Sequence, residues 1–118
     1  MADYNSLVPV IAKTAVAVSG SISSLITRTK AAGVIQRAQL EMLIYQTDKV
    51  LTDARAYLAG EIVTTNLEQL AKTQAHIDNL ARQGRLHGKS LDMAMDQLGD
   101  LNDTLRRNLR DFENRKLR

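Results

Sequence analysis

Three groups of residues have types that could do chemistry, and each has to be weighed against its spacing. Gly88-Lys89-Ser90 ahead of a helical stretch has the ending of a phosphate-binding loop, in which glycine amides and a lysine cradle phosphate. The rest of that pattern is missing. Its first glycine belongs at the position of Gln83, Gly84 is one place off, and no strand-like run precedes it. The tripeptide therefore reads as a turn followed by a helix N-cap at Ser90. Asp92, Asp96, Asp100 and Asp103 share one face of a helix and could attract a hard cation. Helical two-metal sites add Glu-x-x-His pairs, and no histidine lies in this stretch, so the row reads as a solvated acidic face near a helix start. His76 and His87 are the only imidazoles. Neither has a serine, carboxylate or second histidine at a spacing that implies a triad or a pair of metal ligands. The absence of cysteine removes thiolate ligands, iron-sulfur clusters, disulfides and cysteine nucleophiles together. No residue is assigned a catalytic, cofactor-binding or metal-ligating role, no small-molecule substrate is implied, and the expectation is a non-enzymatic protein.

Composition sets the class of scaffold. A chain of 118 residues fits a single domain over 1–118, and 44% hydrophobic with 25% charged residues is ordinary for a folded chain rather than a disordered one. One proline, one phenylalanine and no tryptophan, with abundant Ala, Leu, Gln, Arg and Lys, favour helices around an aliphatic core. The net charge of +3 is mild. No signal-peptide pattern opens the sequence, so a cytoplasmic setting is expected, with membrane association as an alternative.

The elements follow from hydrophobic periodicity. Residues 7–29 form an apolar N-terminal segment in which Val8, Ile11, Ala15, Val18, Ile22 and Leu25 recur at helical spacing. Lys13, Gly20, Ser24, Thr27 and Arg28 gather on the other side, and Ser6 precedes Pro9 as a candidate N-cap. The central segment, 34–83, carries doublets at Leu43-Ile44, Val50-Leu51 and Tyr57-Leu58. Its phase breaks at Gly60, where a turn or a kink is expected, with Thr65 and Glu68 spaced as a capping box for a further helix. After the loop Gly84 to Lys89, residues 90–116 place Leu91, Leu98, Leu105 and Phe112 at heptad intervals. Asn102 falls within this seam, where a buried amide would fix register. The expected fold is all-α: a long-helix hairpin or bundle of three to four helices with coiled-coil-like packing, the last folding back antiparallel.

A seam roughly 40 Å long must find something to lie against. The leading expectation is an interaction or assembly module that associates with itself or with another helical protein, through Leu43, Val50, Leu91, Leu98, Leu105 and Phe112. Two other classes stay open. A membrane-associated protein would use Val8, Ile11, Val18, Ile22 and Leu25, and a nucleic-acid-binding regulator would use Arg106, Arg107 and Arg110 on phosphate. Aromatic platforms for single strands are lacking, which makes nucleic acid the lesser of the two.

Overall fold

A computed structural model describes the backbone of residues 3–57 and 61–116 and the side chains of 13–56 and 63–112. It contains four helices: α1 (Asp3–Ala32), α2 (Arg37–Tyr57), α3 (Glu61–Arg82) and α4 (Gly88–Lys116). No strand occurs among the described residues. Ser19 meets Asn102 while Lys30 meets Asp96, so α1 and α4 run antiparallel. The same opposition holds for α2 with α3, where Gln74 reaches Ile44 and Asp48 while Arg37 and Leu40 line one groove with Ala81 and Arg82, and for α3 with α4, where Asn66 reaches Leu101 while Ile77 shares an interstice with Leu98. Each helix packs on its sequence neighbours and α1 closes the ring against α4, giving an up-down-up-down bundle of 49 × 24 × 21 Å.

The buried rows explain why these segments are helices. Ala15, Ser19, Ile22, Ile26 and Thr29 on α1 lie at alternating four- and three-residue steps, and Leu43, Thr47, Val50 and Ala54 do the same on α2. Asn66, Leu70, Thr73 and Ile77 form the row on α3, and Leu91, Met95, Leu98, Asn102, Leu105 and Leu109 the row on α4. Such spacing turns one stripe of each helix inward and leaves the opposite faces to charge. Leu43, Ile44, Thr47, Gln74, Ile77 and Leu98 surround one interstice that no water can enter, so side chains from α2, α3 and α4 close the core directly.

Local signals set the ends. Gln36 caps α2: its carbonyl accepts the Leu40 N–H at 2.9 Å while its own N–H donates to Gln39 Oε1 at 3.2 Å, the reciprocal half of a capping box. Gly84 ends α3 with φ +68°. There the Arg85 N–H bonds to the Leu80 carbonyl at 2.8 Å and the Gly84 N–H to Ala81 at 3.1 Å, a Schellman closure that favours glycine because of its left-handed backbone.

Several boundaries differ from the sequence reading. Because α1 begins at Asp3, Ser6 is not its cap, and Pro9 falls in the second turn, where it lacks the N–H that would reach the Asn5 carbonyl. Helix α3 begins at Glu61, so Thr65 and Glu68 lie inside it: the capping-box pattern is a local signal that continuing helical hydrogen bonds override. Helix α4 begins at Gly88, ahead of Ser90. The predicted break at Gly60 lies outside the described residues, as do the side chains of Tyr57 and Leu58, but the helices on either side of it run in opposite directions.

Candidate functional site

The most specific constellation in the bundle joins its first and last helices. Ser19 is 0% exposed and Asn102 1%. The Ser19 hydroxyl donates to Asn102 Oδ1 at 3.0 Å, and Asn102 Nδ2 donates to the Ser19 carbonyl at 3.0 Å. A buried amide opposite an aliphatic side chain would lose its water without replacement, and placing Ser19 across from Asn102 gives both polar side chains a partner. Two glycines lie near this pair, and a methyl at either would make only ordinary van der Waals contact. A methyl on Gly20 would meet the Arg106 guanidinium at 3.5 Å, and one on Gly99 would meet Ile26 at 3.8 Å. The sequence shows Asn102 as the candidate amide, but its partner Ser19 is hidden among the other small residues of α1.

At the outer edge of the same interface Lys30 pairs with Asp96. The hydrogen bond that Lys30 donates to Asp96 and then the charge of that carboxylate hold the Lys30 ammonium above its ordinary pKa against opposing desolvation, with lesser help from Asp92 and Asp100. A raised folded value means that the pair contributes stability below the ordinary lysine range and loses it as pH rises through the folded value. Both groups are solvated, so the contribution is small. Lysine-resolved NMR titration is expected to show the Lys30 midpoint falling in the Asp96→Asn variant; an unchanged midpoint would remove Asp96 as the cause.

The other sequence candidates separate by burial. Leu43, Val50, Leu91, Leu98 and Leu105 are each at most 1% exposed within a single chain, and Phe112 is half-buried. A second copy cannot reach these five without opening the bundle: the lengthwise partner of the α4 seam is α1 and α3 of the same chain. On α1, Ile22 and Leu25 are buried in the core and Val18 packs against it, while the side chains of Val8 and Ile11 lie outside the described residues. No helix, over the described residues, is long and apolar enough to cross a membrane. Arg106 lies across Gly20 with its Nε buried and unpaired, whereas Arg107 and Arg110 are exposed, so the three do not present one open cationic face.

Compared with protein-family models, with curated proteins and with solved structures, this chain matches none.

The groups considered for chemistry stay dispersed. Asp92, Asp96, Asp100 and Asp103 are all exposed. No cluster of three or more His, Asp or Glu among the described residues is placed to hold a metal ion. His76 lies on a shallow groove between α3 and α4 with Lys72, Thr73, Gln97 and Asp100, and His87 is exposed in the loop before α4. What sequence reading missed is on the outside of α2. Met42 and Tyr45 are 53% and 68% exposed and lie one turn apart, with Ala38 one turn before them. A period count that ranks residues only by the inward face has no place for this second row.

Proposed function

We propose that this chain is a non-enzymatic helical interaction module that associates with a second copy through the outer face of α2. The observation that carries this reading is the exposed pair Met42 and Tyr45, two of the four large hydrophobic side chains left most open, in a bundle whose inward rows are already consumed. Ala38, Met42, Tyr45, Thr52 and Ala56 continue at three- and four-residue steps along this face, interrupted by Lys49, and all are exposed. A row of that kind suits another helix laid alongside it. Enzymatic chemistry has no constellation to support it, which is why the reading rests on surface shape and polarity.

Molar mass by light scattering across a range of concentrations tests it. The wild-type chain is expected to rise above monomer mass with concentration, and Met42→Glu/Tyr45→Glu to stay monomeric with an unchanged helical circular dichroism spectrum. A wild type that remains a monomer throughout defeats self-association, and a variant that still associates moves it to another face.

A further inference from the structure

The loops at one end of the bundle carry basic and no acidic side chains. The antiparallel order brings the end of α1, the start of α2, the end of α3 and the start of α4 together there. The two stretches that build this end, 28–40 and 79–91, contain six Lys and Arg, and the nearest acids, Glu41, Asp78 and Asp92, stand immediately behind them. Arg37 and Arg82 are answered by Glu41 and Asp78 one turn along their own helices, and Lys30 by Asp96. Arg28, Arg85 and Lys89 are exposed and have no acidic partner among the described residues.

The same end carries apolar side chains that water does not favour. Val34, in the loop between α1 and α2, is 59% exposed between Lys30 and Arg37. Met93, 65% exposed, lies five residues into α4, about 8 Å of helix rise behind the tip. Its neighbours Asp92 and Asp96 are exposed as well, so Met93 stays outside the docking surface.

We infer that this loop end docks end-on to an anionic lipid surface, Val34 entering the headgroup region while Arg28, Arg85 and Lys89 meet lipid phosphates and carboxylates. The charge complementarity selects an anionic surface. The apolar tip distinguishes lipid from nucleic acid, whose phosphate backbone offers Val34 no apolar place. Its residues Arg28, Val34, Arg85 and Lys89 are not Met42 or Tyr45, so the lipid and self-association variants alter different side chains and the two readings can succeed or fail independently. It also differs from the insertion of α1 considered from sequence, because Ile22 and Leu25 remain in the core.

Flotation of the full chain with phosphatidylcholine vesicles, with and without phosphatidylserine, tests the inference. Wild type is expected to float with the phosphatidylserine vesicles and to be released by salt. Arg85→Glu/Lys89→Glu is expected to weaken partitioning by at least about tenfold, and Val34→Asp to weaken it several-fold. Arg107→Glu/Arg110→Glu, at the far end of α4, should leave it unchanged. Circular dichroism of each variant confirms an intact bundle, since all five positions are exposed. The inference is overturned if wild type floats equally little with both vesicle types, or if reversing Arg85 and Lys89 has no effect. Undiminished flotation of Val34→Asp overturns it too, because the contact would then be electrostatic adsorption with no apolar entry.

Discussion

Leu98→Asp is expected to abolish the cooperative helical fold itself, and to do so at any protein concentration. Leu98 is 1% exposed and shares an interstice with Leu43, Thr47 and Ile77, so its side chain meets α2 and α3 at once. Truncating a leucine at such a position costs roughly 2–5 kcal/mol, and a carboxylate adds the cost of losing water with no cation at hand. That sum rivals the whole stability of a small domain, about 5–15 kcal/mol. Circular dichroism should show loss of helix and no sharp melting transition, whereas Leu98→Met, which keeps the volume, should melt within a few degrees of wild type. A folded Leu98→Asp protein that has merely come apart from its copies would show that the α4 seam is an intermolecular surface after all, against the burial described here.

Asn102→Ala is expected to cost about 2–3 kcal/mol, the sum of two buried hydrogen bonds and a small void. The informative comparison is with Ser19→Ala/Asn102→Leu, in which both polar partners are replaced and no group is left unpaired. Stability should then return close to the wild-type value or pass it, because a matched polar pair and a matched apolar pair differ little. The loss should appear as lost uniqueness. Without the lock, α1 can settle at neighbouring registers against α4, and the amide NMR spectrum of the double variant should show extra or broadened peaks confined to those helices. A double variant as unstable as Asn102→Ala, with a single sharp set of peaks, would show that the pair contributes bond energy and not register.

Much of the architecture is legible in the chain because helical periodicity is a local property. The doublets of α2 and the heptad row of α4 identify which faces turn inward without any knowledge of neighbours, and Gly84 marks the end of α3 through its backbone freedom alone. Partners are not local. Nothing near Leu98 in sequence says whether its row meets α1 of the same chain or a helix of another, and the choice is made by how the two long helices, α1 and α4, and the two shorter ones, α2 and α3, pack. Ser19 is unremarkable among the serines of α1 until Asn102 is placed across from it. Thr65 shows the opposite failure, a clear local signal that the surrounding helix overrides.

The separation of 83 residues between Ser19 and Asn102 also bears on the order of assembly. Hairpins of adjacent helices close short loops, but this contact requires both ends of the chain to be brought together across all that intervenes. The α1–α4 junction, the most extensive helix contact in the bundle, is thus expected to be the last to form.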